Sequence, residues 1–326
     1  MSKARELAEL GAVYDSGALS NRNFIINGAM QIWQSGTTAA NNAYGADRWR
    51  GTSVTSQAQS TDVPNASFAY SNAASGSGGL AGGIGTPIEL PVTGKSAPFK
   101  QNTNYTFSGF FKGTSGQTLS LRLRYRDGML GANSQEILAG TVIVTFDGTW
   151  QYVTKTVDFG SSVDVVGTSK CLELLLIHNT ADATWYQTGC QLELGTEATP
   201  FEHRSFGQEL ALCQRYFSKS YEYGTFAGAA TGIAMRQTDF IENNQGAGYR
   251  ENYGQLFPVR MRAAAAVTIY DSAGTVNKCN YYIGATSTAG KTLSIPPPSE
   301  TTWGGYSDRS TTIGGWSCHF IADAEL

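Results

Sequence analysis

Between Asn21 and about Arg204, apolar residues recur at every second position in short runs. That spacing sets one face of a β-strand against a core. Tyr105-Thr-Phe-Ser-Gly-Phe-Phe111 alternates aromatic with small polar residues. Phe24-Ile-Ile, the turn pair Asn27-Gly28 and Met30-Gln-Ile-Trp33 read as strand, turn and strand. Thr141 to Phe146, then Asp147-Gly148, then Thr149 to Val157 spell a hairpin with a tight turn. Cys171 to Ile177 and Trp185 to Leu194 supply two more strands. In Arg122-Leu-Arg124-Tyr-Arg126 the charges fall on the solvated face of a half-buried strand. So many strands in one stretch predict a β-sandwich.

The period then changes. Ser205-Phe-Gly-Gln208 spells a capping box. Behind it Phe206, Leu210, Cys213 and Phe217 recur at helical spacing, with Leu212 and Tyr216 beside them. The pattern predicts an amphipathic helix over about 206–217 whose apolar stripe needs cover from the sandwich or a neighbouring subunit. After Ser218 strand character returns at Tyr221–Tyr223, Gly232–Met235, Val267–Tyr270, Tyr281–Ile283 and Trp316–Ile321, and Pro296–Pro298 makes a stiff extended connector. Upstream of everything, residues 2–10 could make two helical turns with Ala4, Leu7 and Leu10 on one side, and 12–20 read as a linker. The expected fold is therefore mainly β: an N-terminal helix and linker over 1–20, a sandwich over 21–204, a connecting helix over 205–218 and a smaller C-terminal β domain over 219–326.

Composition supports this. Of 326 residues, 41% are hydrophobic and 11% aromatic, enough to bury a core, while 15% are charged and 38 are Gly. A net charge of −3 without clustered Lys and Arg argues against a nucleic-acid partner. No run reaches the roughly 18 apolar residues of a membrane span, and Met1-Ser-Lys-Ala-Arg-Glu-Leu lacks the apolar core of a secretion signal. Assembly in a cytoplasm is the expectation. Five scattered cysteines with no C-x-x-C pair predict free buried thiols. The sequons at Asn65 and Asn104 read as accidental.

Catalytic spellings are missing. His178, His203 and His319 are far apart in sequence, and neither G-x-S-x-G nor H-E-x-x-H occurs. The glycine-rich run Gly76–Gly85 lacks the Lys-Ser/Thr and βαβ frame of a phosphate loop. Glu173, Asp182 and Glu193 are nominal carboxylates for glycoside hydrolysis, with solvent-facing strand or loop positions as the plainer reading. What remains is aromatic binding chemistry. Sugar rings stack their C–H faces on Trp and Tyr while polar neighbours bond the hydroxyls. Trp303, Tyr306, Asp308, Arg309 and Trp316 offer that mixture in one Gly-rich segment, and Tyr249 and Tyr253 in another. The alternative puts both tryptophans in the core of the small domain.

Several strings together resemble a known family. Asn21-Arg-Asn-Phe-Ile-Ile-Asn-Gly-Ala-Met-Gln-Ile-Trp33 with Tyr44-Gly-Ala-Asp-Arg-Trp49 resembles the opening of tail-fibre and minor tail proteins of tailed bacteriophages. Gly189 to Arg204, then Gln208 to Phe217, is similar to the closing strand and helix of that unit. Between them, Tyr105–Lys112 and Thr149–Tyr152 resemble strands of jelly-roll carbohydrate-binding modules, and Phe257–Arg262 with Tyr270–Gly274 is similar to a segment that often follows. The resemblance implies a jelly-roll sandwich in a non-enzymatic virion protein. Such a protein would be a homotrimer, attached to the tail or baseplate through its N-terminal segment and adhering to a host surface polysaccharide. It makes Asp47, Arg48 and Trp49 strand-positioning residues, while the receptor contact is expected outside the resembling stretch, in the Trp-, Tyr- and Gly-rich segments of 219–326. Jelly-roll modules often carry a structural calcium, for which Asp47 and Glu193 are the oxygen donors on offer, although the usual acidic run is missing. Two other readings compete: a purely structural baseplate or fibre adaptor, and a polysaccharide-degrading enzyme, which the lack of long repeats disfavours.

Overall fold

A computed structural model of the protein describes residues 22–76, 83–90, 99–100, 102–126, 134–160, 171–179, 184–239, 250–283, 286–308 and 315–325. The N-terminal helix and linker expected over 1–20 lie outside them, as does Asp182. The chain divides into two compact units, one running to Trp33 and over Thr37–Phe206, the other comprising Gln34–Gly36 and Gly207–Glu325.

The first unit is the jelly-roll-like sandwich. Its six-stranded sheet runs in the order β1 (Thr38–Ala40), β3 (Ser56–Ser60), β4 (Ser71–Ser75), β11 (Thr184–Leu194), β6 (Asn104–Gly113), β9 (Gln151–Asp158). The facing five-stranded sheet runs β2 (Arg50–Thr52), β5 (Gly83–Glu89), β10 (Cys171–His178), β7 (Thr118–Arg126), β8 (Ser134–Thr145). Every pairing is antiparallel. Alternation does what it should: Leu119, Leu121 and Leu123 meet Leu172, Leu174 and Leu176 from one sheet, while Tyr105, Phe107, Phe111, Trp185 and Leu192 enter from the other. Each such side chain contributes roughly 1.5–3 kcal/mol on burial.

In this unit two expectations change and one is sharpened. Asp147-Gly148 does turn the chain, with Asp147 Oδ1 accepting from Thr149 N–H at 2.8 Å. But β8 pairs with β7 and β9 with β6, so the segment is an arch that crosses between sheets, not a hairpin. The turn is local chemistry; the core decides the partners, and Phe146 buried at the crossover belongs to that core. The arginines of β7 do take its outer, half-exposed face, but they are paired there. Arg124 and Arg126 both close on Glu173 of β10, which is 3% exposed, and Arg122 pairs with Glu136 of β8.

Lastly, Asn23–Trp33 forms no strand. Its backbone polar groups are instead satisfied by side chains. Asn27 Nδ2 donates to Ile32 O and Asp47 O, both at 2.9 Å, and its Oδ1 accepts from Ile32 N–H at 3.0 Å. Trp49 Nε1–H donates to Asn27 O at 3.0 Å, and Asn23 links Cys190 O to Leu192 N–H. Asn27 sits at φ 58°, a left-handed conformation that Asn tolerates. A Cβ on Gly28 would lie 2.1 Å from Cys190 O, so only glycine fits.

In the second unit β19 (Gly315–Asp323) is central. It pairs with β12 (Phe217–Lys219) and β13 (Arg236–Asp239) along one edge, and with β15 (Ala266–Tyr270) and β16 (Cys279–Ile283) along the other. β17 (Thr286–Lys291) extends β16, and β14 (Arg250–Leu256) with β18 (Thr302–Asp308) forms a separate ribbon. Met261, Ile269, Trp303, Trp316 and Phe320 fill its core. Tyr221–Tyr223 and Gly232–Met235, expected to be strands, are not. The helix α1 covers Phe206–Gln214 and is shorter than expected. Phe217 pairs with Asp323 and Ala324 N–H bonds Tyr216 O at 2.7 Å, so sheet bonding ends the helix early. Only part of its stripe is covered: Cys213 is buried, but Phe206 and Leu212 are exposed. All five cysteines are buried free thiols.

Candidate functional site

Because side chains alternate along a strand, the inward Phe107 and Phe111 of β6 oblige Phe110 and Lys112 to point out of the sandwich. Tyr152 and Thr154 of β9 and Tyr186 of β11 share that outer face, since the register sets Phe110 opposite Tyr152 and Lys112 opposite Tyr186. Phe110 and Tyr152 lie 4.9 Å apart between ring centroids, and Tyr152 is 48% exposed. Trp150, just ahead of β9, meets Tyr186 edge-on at 6.3 Å.

Asp62, in the connection from β3 to β4, ties this cluster together. Its Oδ1 accepts from Trp150 Nε1–H at 2.8 Å and its Oδ2 from Lys112 Nζ at 2.6 Å. Those two bonds, the lysine first, hold the Asp62 carboxyl below the usual carboxylate range. The same ammonium lies 5.6 Å from the centroid of Tyr186. Behind these rings, buried Phe68 packs on Phe110, Phe201 and His203. β11 is irregular between Thr188 and Gln191, with Gly189 at φ 63°. A Cβ there would come within 2.8 Å of the Phe68 ring and 3.0 Å of the Phe110 ring, so glycine lets both rings close on the sheet.

Further along the face the segment after β11 folds back over it. Glu193 Oε1 accepts from Gln191 Nε2 and Thr199 N–H, and its Oε2 from Thr199 Oγ1 at 2.6 Å. These oxygens hold a turn, and Oε2 also faces the Arg22 guanidinium at 3.8 Å. Asp47 is buried in the Asn27 knot, where its carbonyl takes an Asn27 bond. Among the described residues no group of three or more His, Cys, Asp or Glu is placed to hold a metal. Glu173 is occupied by its two arginines.

The aromatic candidates of the C-terminal segment are placed differently from the binding surface expected of them. Trp303 is 2% exposed and packs on Phe320 at 5.2 Å; Trp316 is 5% exposed and packs on Tyr281 at 4.7 Å. Rings so enclosed have no face for a sugar; both serve the core. Tyr306 is half-buried on β18, and its backbone exchanges two hydrogen bonds with Ser294. Tyr249 and Arg309 lie outside the described residues, as do the side chains of Tyr253 and Asp308. Beside Trp303 opens a groove of about 550 Å³ between Gln255 and Leu256 of β14, Pro296–Pro298 and Thr302. His319, remote from the sandwich face in sequence, is buried with Nε2 3.1 Å from Thr231 O and Nδ1 3.2 Å from Ser220 Oγ, stacked on Tyr221. Burial lowers its pKa.

Sequence reasoning passed over Tyr152, Phe110, Tyr186 and Trp150 as sites. A signal existed: adjacent aromatics such as Phe110-Phe111 must point to opposite faces of a strand, so one of them is always outside the core. No local signal connects Asp62 to them.

The row carries groups that saccharide binding uses: aromatic rings, of which Tyr152 is exposed and Phe110, Tyr186 and Trp150 are half-buried, hydroxyls, and the Lys112–Asp62 ion pair. A scan of protein-family models finds none that matches the chain, and no curated protein matches it. Among solved structures it is similar to the CBM22-1 xylan-binding domain from Paenibacillus barcinonensis Xyn10C, at 15% identity over 49% of this chain and 94% of that one, with a TM-score of 0.33. It is similar to the C-terminal family 22 carbohydrate-binding module of Clostridium thermocellum Xyn10B at 13% identity, over 47% and 89% of the two chains, with a TM-score of 0.33. It is also similar to the enzymatically active domain of tailspike protein 4 from bacteriophage CBA120, at 14% identity over 53% of this chain and 22% of that one, with a TM-score of 0.35. A sandwich architecture hosts many unrelated functions, so the site itself has to carry the functional reading.

Proposed function

We propose that this chain is a non-catalytic carbohydrate-binding protein that works in a phage virion, as a tail fibre or baseplate-attached receptor-binding protein adhering to host surface polysaccharide. The observation that carries the carbohydrate reading is the row of exposed Tyr152 and half-buried Phe110, Tyr186 and Trp150 on the outer face of the six-stranded sheet. The virion reading is supported by the sequence resemblance over 21–49 and 189–217. With it come a homotrimer and attachment through the N-terminal segment. In this reading the sandwich takes part in the glycan contact, and the receptor surface is not confined to the second unit.

The test is retention of the full chain by host envelope polysaccharide in affinity electrophoresis, with Tyr152→Ala/Tyr186→Ala alongside the wild type. Binding should fall at least tenfold in the double variant, given roughly 1 kcal/mol or more per stacked ring, while its unfolding transition stays in place. Equal retention of both proteins would refute the site. If the wild type is not retained and particles lacking the chain fail to assemble, the adaptor reading replaces this one. Release of reducing ends from the polysaccharide would overturn the non-catalytic assignment.

A further inference from the structure

Asp62 is delivered to the aromatic face by a pinned backbone. Its N–H donates to Ser60 Oγ at 3.1 Å and its carbonyl accepts from Ser71 Oγ at 2.6 Å. The carboxylate then divides its two oxygens between Trp150 and Lys112. Trp150 lies ahead of β9, so no ladder bond orients it. Its indole N–H to Asp62 and its edge contact with Tyr186 do so. Lys112, meanwhile, is the cation of a row whose other outward members, Phe110, Tyr152, Thr154 and Tyr186, are uncharged. A partly exposed ammonium beside aromatic rings would attract carboxylate, sulfate or phosphate groups on a glycan. The Asp62 carboxylate removes that attraction.

We propose that Asp62 is the specificity-determining residue of this face: by neutralising Lys112 and fixing the Trp150 ring it tunes the surface to uncharged saccharides and against anionic ones. This rests on the carbohydrate reading above and sharpens it to a ligand class. It also assigns a role to a loop residue that no catalytic or metal chemistry uses.

The experiment compares wild type, Asp62→Asn, Asp62→Asn/Lys112→Gln and Lys112→Gln, each as the full chain. Probes are neutral gels (dextran, mannan and a β-glucan) and anionic gels (alginate and polygalacturonate). Asn is nearly isosteric and still accepts the Trp150 N–H, so the fold and the ring should persist, checked by near-UV circular dichroism. The wild type should be retained by a neutral gel and pass the anionic ones. Asp62→Asn should raise the anionic-to-neutral retention ratio roughly three- to fivefold, the scale of one freed but solvent-screened charge. The gain should vanish in 0.5 M salt, a concentration at which screening is on the order of a few ångströms, and in the double variant. Lys112→Gln alone should acquire no anionic binding, and a gain of anionic retention in it would overturn the role of the lysine charge. A wild type retained by neutral gels whose ratio does not move in Asp62→Asn overturns the role of Asp62. A wild type that prefers the anionic gels overturns the ligand class. A wild type retained by none of the gels overturns the carbohydrate reading, and this proposal with it.

Discussion

Replacing Asn27 with alanine separates the structural use of the N-terminal motif from a binding use. The side chain is fully buried and makes three hydrogen bonds at 2.9–3.0 Å. Removing it takes the Asn27 bond from Asp47 O and from Ile32 N–H, while Ile32 O keeps the Asp47 N–H at 2.9 Å; each buried group left unsatisfied costs about 1–3 kcal/mol. Alanine at φ 58° adds about 1 kcal/mol, because its Cβ crowds the backbone where Asn tolerates the turn. The bonds share one knot and do not add fully, so the expected loss is roughly 4 kcal/mol. That is a large part of the 5–15 kcal/mol typical of a domain. Urea unfolding followed by tryptophan fluorescence is a suitable assay, since the knot bonds the Trp33 and Trp49 indoles as well. The sandwich transition should be fitted separately, because two units need not unfold together. Polysaccharide retention below the transition should match wild type. A loss under about 1 kcal/mol, or lost retention at full stability, would mean that the motif acts as a contact surface and that the accounting above is wrong.

Three further outcomes are expected. Glu173→Gln takes from Arg124 and Arg126, 14% and 15% exposed, the carboxylate they share; the sandwich should lose about 3 kcal/mol in urea unfolding, as for a broken buried pair, and a change within error would show the pairs to be solvent-screened. Burial lowers the pKa of His319 below the ordinary histidine value, so its neutral form is favoured on folding. Its contribution is then complete above the unfolded pKa, about 6.5, and is lost as pH falls through the folded value. The second unit should therefore weaken on acidification, with a flatter pH slope in His319→Gln; an identical slope in the variant would remove His319 as the cause. The thiols should resist iodoacetamide in the native protein and react once it is denatured. Burial pushes Cys279 up to about 12 and raises Cys190 further; rapid native alkylation of either, read by mass spectrometry, would contradict that placement.

Much of the sandwich was legible because its information is local. Leu119, Leu121 and Leu123 alternate with polar neighbours, and the eight-residue run of β10 is buried throughout, as a central strand requires. The start of the helix behind Ser205 was legible too, from its cap. Its end was not, because Phe217 obeys helical spacing yet gains more by pairing with Asp323. The tryptophans misled for a related reason. Glycine-flanked Trp303 and Trp316 look like loop anchors, but both lie on strands whose inward phase faces Phe320 and Tyr281.

By itself the sequence determined the strand-rich composition, the phase of each strand and the class of chemistry on offer, since alternation, turn residues and missing catalytic motifs are properties of neighbouring positions. Only the tertiary structure decided that Asp147-Gly148 bridges two sheets, that Asn23–Trp33 is a knot of side-chain bonds, and that the outward aromatic row belongs to the sandwich. It also brought Asp62 to Lys112, 50 residues away, and to Trp150, 88 away. Pairing across such distances is set by which faces can be buried together, and that is a property of the whole core.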